Sequence, residues 1–164
     1  MADSVSPQAP DVAALVQSLG VPFERIDIDP ALADTAAFCE AYEFPPEQSA
    51  NTIIVATKKD PKKYAACIAL ATTRLDVNRR VKALVAGGRL SFANAEEMKT
   101  LTGMEVGGVT PFGLPADLPL WVDARIAKLD WIILGGGSRD WKIKISPEVF
   151  AKIGGEFVQD LAID

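Results

Sequence analysis

Three stretches of the chain combine residue types and spacing that can do chemistry. The first is Gly103-Met-Glu-Val-Gly107-Gly108-Val-Thr-Pro111-Phe-Gly113. Glycine lets a backbone approach a ligand closely with its amides turned inward, and proline fixes the far side of the turn. Such a loop can set N–H groups on a carbonyl oxygen and stabilise an oxyanion with no side chain involved. The same composition also makes a plain surface loop, but long loops ordered by Gly and Pro are often functional. The second stretch is Leu134-Gly135-Gly136-Gly137-Ser138-Arg139-Asp140. A dinucleotide-loop reading fails here, because the segment continues as WKIKI, which alternates as a strand rather than opening a helix. A tight glycine turn facing a pocket remains. The third is Ser49-Ala50-Asn51-Thr52, at the start of the apolar run TIIVAT. A polar pair at a strand start can aim into a site, although more often it satisfies backbone groups of the turn.

The available catalysts are limited. The chain has no histidine. That excludes a Ser-His-Asp triad, a Cys-His dyad and any imidazole base. Only Cys39 and Cys67 offer soft metal ligands, so neither a metal nor a cofactor is expected, and both cysteines read as buried thiols. No GxxxxGK[ST] phosphate loop is present. Chemistry on this chain must use carboxylates, lysines, backbone amides or the substrate itself.

The elements that must position these stretches follow from periodicity and punctuation. Asp11 to Leu19 has helical apolar spacing and stops at Gly20; Phe23, Ile26 and Ile28 lie in a short strand. Asp34 or Thr35 caps a helix to about Tyr42, closed by Pro45-Pro46. Residues 52–57 and 64–70 read as buried strands joined by a KKDPKK hairpin. Asp76 caps a helix with Val77, Val81, Leu84 and Val85 on one face, ending at Gly87-Gly88. A short strand at 90–92 precedes a helix begun by Asn94. Strands follow at 120–123, 131–134 and 141–145, then a short helix after Pro147 and a tail strand around Phe157. Hairpins with inserted helices give a mixed α+β or mixed α/β fold rather than regular βαβ alternation.

The 164 residues, 49% of them hydrophobic, suffice for one domain with a real core, expected over 10–164, after a flexible segment at 1–9. Mean hydropathy is +0.15, and no apolar run has the length of a membrane span. With no secretory signal at the start, a cytosolic location is expected. Net charge is −5, which argues against a general DNA or other non-specific nucleic-acid binder. The distribution is uneven. Between Lys58 and Arg89 nine basic residues face two acids, +7 in all, and the rest of the chain carries −12. This block, with Lys58, Lys59, Lys62, Lys63, Arg79 and Arg80, is either a landing surface for a phosphate backbone or a solvated hairpin and helix face.

Taken in order from about Val12 to Leu161, the segments resemble the YbaK family. This is the aminoacyl-tRNA editing domain that also occurs inserted in bacterial prolyl-tRNA synthetases. The resemblance rests on PPEQSANTIIV, YAACIAL, RLDVNRRVKAL, RLSFANAEEMKTLTGMEVGGVTPFGL, WVDARI and LGGG…IKISPEVF…FVQDLA. Its most specific part is AxAEExxxLTGxxxGGVxPFG. The resemblance implies a mixed, barrel-like β-sheet packed by helices. It implies hydrolysis of the ester joining a mischarged amino acid to the 3′ end of tRNA, a translation-fidelity function. The family's GxxxP loop maps onto Gly107-Gly108-Val109-Thr110-Pro111, whose amides would hold the substrate carbonyl while the terminal ribose 2′-hydroxyl assists. An aminoacyl ester is already reactive, so positioning and electrostatics suffice.

A deacylase reading assigns further roles. Gly107 and Gly108 amides bind the carbonyl oxygen and Pro111 shapes the loop. Asn51 and Thr52 orient the ribose or amino acid, Gly135, Gly136 and Gly137 form the opposite wall, and Phe38 lines the amino-acid pocket. The basic block approaches the acceptor stem. Two departures stand out. Family deacylases usually have lysine where this chain has Asn51, which marks an Asn-type branch and removes a charge that would hold the terminal adenosine. Where some members carry an acid in the late strand, this chain has Lys142. Alternation sets Lys142 and Lys144 on one face of WKIKI, so Lys142 either enters the pocket to supply the missing charge or faces solvent. Asn51 also admits a different outcome: a binding module for aminoacyl-tRNA, an amino acid or a protein partner that keeps the fold without catalysis. A third reading is a deacylase of some other small aminoacyl ester or amide.

Overall fold

A computed structural model describes residues 10–105 and 107–164. The segment 1–9, expected to be flexible, lies outside the described residues.

Helix α1, Val12–Ser18, starts where the Asp11 carboxylate accepts the Ala14 amide, and buries Val12 and Val16, one turn apart. Strand β1 (Phe23–Asp27) and a 3-10 turn at Pro30–Leu32 lead to α2, Thr35–Tyr42. The apolar run after Ser49 becomes β2, Ala50–Thr57, so the strand starts two residues before the TIIVAT reading and takes in Asn51. It pairs antiparallel with β3, Tyr64–Leu70, through the expected basic hairpin. The two-residue strand β4, Arg74–Leu75, follows.

The helix expected after Asp76 is divided. A π-helical turn, Val77–Val81, passes into α3, Lys82–Val85. Then come β5 (Leu90–Phe92), α4 (Ala95–Thr102), β6 (Leu120–Asp123), β7 (Ile132–Gly135), β8 (Trp141–Ile145), α5 (Val149–Lys152), β9 (Glu156–Val158) and β10 (Ala162–Ile163).

Five strands form one sheet in the order β5-β2-β3-β6-β9, with β3-β6 and β6-β9 parallel. Three form a second, antiparallel sheet, β1-β8-β7, and β4 pairs with β10. A single parallel bridge between Ser49 and Ile133 joins the two larger sheets at the start of β2. The mixed α/β fold is as expected from sequence, and the sheets curve together there. Among the described residues they do not close into a barrel.

The alternation of β2 and β3 divides the core. Ile54, Ala66 and Ile68 pack with Val16, Phe112, Val122 and Phe150. Val55, Ala65 and Cys67 pack with Val81 and Leu161. A third cluster, Ile28, Ala33, Phe38, Cys39 and Ile133, anchors α2 on the three-stranded sheet. The junction of the two sheets is thereby held from both sides, and the open start of β2 lies in it.

Candidate active site

A cavity of about 310 Å³ lies at that junction. Its walls are Ala33, Asp34 and Thr35 from the start of α2, Ala50, Asn51 and Thr52 from β2, Met98 from α4, Gly107 and Val109 from the glycine loop, Gly135 from β7 and Lys142 from β8. Five residues singled out from sequence therefore meet in one place: Asn51, Thr52, Gly107, Gly135 and Lys142.

The loop is positioned from its helix. Asn94 and Glu97 form a reciprocal capping box at the start of α4, and the helix ends at Gly103 in the left-handed conformation. Met104 is buried beyond it; its amide donates to the Thr102 hydroxyl, and its sulfur accepts the Thr110 amide at 3.4 Å. The second glycine-rich segment docks directly against the loop. The Gly137 amide donates to the Gly108 carbonyl at 2.6 Å, and the Arg139 amide to the Glu105 carboxylate at 3.1 Å. This contact needs glycine at Gly108, where a Cβ would come within 2.4 Å of the Ser138 carbonyl oxygen.

The docking corrects one expectation. The Gly108 amide donates to the Glu105 carbonyl at 2.9 Å, so it is committed inside the loop, and Gly108 is not on the cavity wall. The Thr110 amide is committed to Met104. Gly107 and Val109, the alternate residues, face the cavity, and their amides have no partner among the described residues. Of the amides at 107–110, those of 107 and 109 are thus the uncommitted pair.

Other expected residues lie behind the wall. Of the three consecutive glycines only Gly135 lines the cavity. A Cβ on Gly136 would strike the Trp141 ring, and Gly137, at φ +94°, abuts Val12. Pro111 is buried in the loop base. Phe38 is fully buried, stacked between Tyr42 and Phe44, because an aromatic on the inner face of α2 gains more from this stack than from a polar cavity. It does touch the site indirectly: the Lys142 ammonium sits 5.0 Å from its ring centroid.

Lys142 enters the cavity rather than solvent and is 6% exposed. Burial holds its pKa below the ordinary lysine value; Cys39 and Asp34 offset this, and Arg139 adds to it. Asn51 accepts the Thr35 hydroxyl at 2.5 Å. The Thr52 hydroxyl is buried with no partner among the described residues.

Arg139, Asp34, Thr35 and Met98 were not picked out from sequence as site residues. The Arg139 guanidinium lies over Gly107, which has φ +89°. A Cβ there would come within 2.1 Å of Nη1. Its Nε and Nη2 donate to the Pro30 carbonyl at 3.2 and 3.0 Å, and Nη1 lies 3.6 Å from the Asp34 carboxylate. Arg139 therefore ties the glycine loop to the start of α2. The only sequence signal was its place directly after the glycine turn.

The basic residues stand apart. Lys58, Lys59, Lys62, Lys63 and Arg79 are exposed. Lys62 pairs with Glu97 at 3.0 Å, and Arg80 donates to the Gln159 carbonyl at 2.9 Å. The hairpin tip begins seven residues along β2 from Asn51, roughly 23 Å at strand rise.

Known proteins resemble this chain in sequence and in fold. An uncharacterized protein of Bacillus subtilis (strain 168), YwhH, is 25% identical over 109 residues, covering 62% of this chain and 69% of its own. The solved structure of a hypothetical protein, APE2540, superposes with a TM-score of 0.81 at 26% identity, over 93% of this chain and 99% of that one. A structure described as a candidate trans-editing enzyme for prolyl-tRNA synthetase superposes with a TM-score of 0.79 at 22% identity, over 98% and 99%. The pattern of the aminoacyl-tRNA editing domain matches residues 29–153, a span that includes every residue lining the cavity. By that match the chain belongs to the aminoacyl-tRNA editing domain family.

Proposed function

We propose that the protein is a trans-acting deacylase that hydrolyses the ester of mischarged aminoacyl-tRNA. The observation that carries this reading is the pair of uncommitted amides at Gly107 and Val109, two residues that line one cavity with Asn51 and Thr52. The two N–H groups polarise the ester carbonyl and take the negative charge of the tetrahedral intermediate. Asn51, held by Thr35, orients the terminal ribose, whose 2′-hydroxyl steers the attacking water. The water oxygen bonds to the carbonyl carbon, the bond to the ribose oxygen breaks, and that oxygen receives a proton. The products are a free amino acid and uncharged tRNA. No protein nucleophile takes part.

Pro111 closes the base of the loop and Gly108 sets its contact with the turn at 135–139. With the hairpin tip roughly 23 Å along β2, the lysines at 58–63 would meet duplex beyond the 3′ end rather than the terminal nucleotides, and Arg79 and Arg80 extend that surface. The setting for this reaction is the cytosol. No described helix is long and apolar enough to cross a membrane.

The test is incubation of the pure protein with alanyl-, seryl-, threonyl-, cysteinyl- and prolyl-tRNA. Hydrolysis of one or two of these, lost in a Gly108→Ala variant, is the expected result. Stability of every ester above the uncatalysed rate would remove the reading. It would leave the alternative that Asn51 favours, a non-catalytic module that binds the charged acceptor end. Inhibition by uncharged tRNA distinguishes a tRNA-directed site from one for smaller aminoacyl esters.

A further inference from the structure

The cavity contains a cation with no direct partner. Lys142 is 6% exposed, and its ammonium has no hydrogen-bond or ion-pair partner among the described residues. The one carboxylate on the cavity wall, Asp34, is turned outward: its side chain is 77% exposed and faces Arg139 at 3.6 Å. The Phe38 ring, 5.0 Å from the ammonium, compensates only part of the lost hydration. The unpartnered Thr52 hydroxyl lines the same cavity. Burying an ionised amine without an anion opposes folding, and the same position filled by an apolar side chain of similar length would not carry that cost. The buried ammonium and the unpartnered hydroxyl belong to residues lining one cavity, and both are groups that a ligand oxyanion would satisfy.

We propose that Lys142, with Thr52 beside it, is the anion receptor of this pocket and fixes the acceptor end by an oxyanion close to the scissile ester. The proposal rests on the editing reading for the identity of the ligand, and on the cavity alone for the existence of the site. Two parts of a charged tRNA end present that chemistry: the terminal phosphodiester, and a carboxylate on the aminoacyl side chain. In either case the charge that Asn51 lacks is delivered from β8, which makes Lys142 a ligand-binding residue of the pocket.

The experiment is calorimetric titration of the full chain with adenosine 5′-monophosphate, adenosine and glutarate. Wild type, Lys142→Arg and Lys142→Met are compared. The expected result is that wild type and Lys142→Arg bind the monophosphate at least tenfold more tightly than adenosine, and that Lys142→Met loses the preference. That outcome assigns the phosphodiester. Lys142-dependent binding of glutarate, with the two adenosine probes equal, supports the receptor and assigns an acidic aminoacyl group. If neither anion depends on Lys142, the proposal is overturned. A readout that needs no variant is the Lys142 side-chain amine resonance, which is expected to shift with whichever anion binds and not with adenosine. Deacylation without Lys142-dependent anion binding would sink this inference and leave the editing function. Lys142-dependent binding without deacylation of any aminoacyl-tRNA would do the reverse.

Discussion

Gly135 and Lys142 stand opposite each other in the β7–β8 ladder and point to the same face of the three-stranded sheet. The missing side chain at Gly135 lets the Gly108 and Val109 carbonyls close onto β7, and the Lys142 side chain enters the cavity alongside. Loop position and pocket charge therefore depend on one register pair. A Cβ at Gly135 would approach the Val109 oxygen to 2.7 Å and the Gly108 oxygen to 2.9 Å, both backbone atoms. The loop must then move outward, and the amides of 107 and 109 with it. Displacements on the ångström scale cost up to about a hundredfold in rate. Gly135→Ala is expected to lower deacylation by tenfold or more while the protein stays folded. Unchanged single-turnover hydrolysis in a folded Gly135→Ala protein would contradict the role given to the loop amides.

Lys142 also gives stability a pH dependence of definite sign. Its folded pKa lies below the ordinary 10.5, with burial the main cause; Cys39 and Asp34 act against the shift and Arg139 acts with it. The unfolded chain therefore binds the proton more tightly than the folded one. Stability rises with pH between the folded pKa and about 10.5. Below that interval the full penalty of the buried charge is present. Lys142→Met removes it, so the variant is expected to melt above wild type at neutral pH, with the gap narrowing toward pH 10. A gap that stays constant or widens over that range would show that Lys142 is not held as a disfavoured cation.

How much of this was legible in the residues depends on range. Strands 64–70, 90–92, 120–123 and 141–145 match their expected bounds; Pro119 and Asp123 delimit the third, and Asp140 precedes the fourth. β4 and β10, two residues each, carry too short a pattern to be seen. The π-helical turn at 77–81 was missed because Val77 and Val81 suit an α-helical face equally well. Asn51, Thr52, Gly107 and Lys142 were visible by residue type. Which loop amides remain open was not, since that depends on the Glu105 carbonyl and the Met104 sulfur folding back on 108 and 110. The role of Arg139 was hidden for the same reason: its partner carbonyl, Pro30, lies more than a hundred residues away.

Cys67 lies on the face of β3 that packs with Val55, Ala65 and Val81, and it is fully buried. Burial pushes its thiol up to about 12, so it stays protonated at physiological pH. Because the thiolate is the reactive form, alkylation of Cys67 is expected only through unfolding. Peptide mass spectrometry after iodoacetamide treatment at pH 8 should find Cys67 unmodified in the native protein and modified in denaturant. Rapid native labelling would place that face of the sheet in solvent.

The two departures from the family pattern predict a reciprocal exchange. The resemblance implies lysine at the position of Asn51 and, in some members, an acid at that of Lys142. Both residues line one cavity, so their effects should not be independent. Asn51→Lys alone would add a second cation to a pocket that already holds an unpaired one. Lys142→Asp alone would replace that cation with a buried carboxylate, with Asn51 unable to balance it. Each single variant is expected to lose most of the activity on whichever aminoacyl-tRNA the wild type hydrolyses. The double variant puts a cation on β2 and an anion on β8 in one cavity, so it should recover activity beyond either single. Neighbouring sites couple by about 0.5–3 kcal/mol, a range readily read from kcat/KM in a double-mutant cycle. A cycle that closes with no coupling would mean that the charge on β8 does not stand in for the one absent from β2.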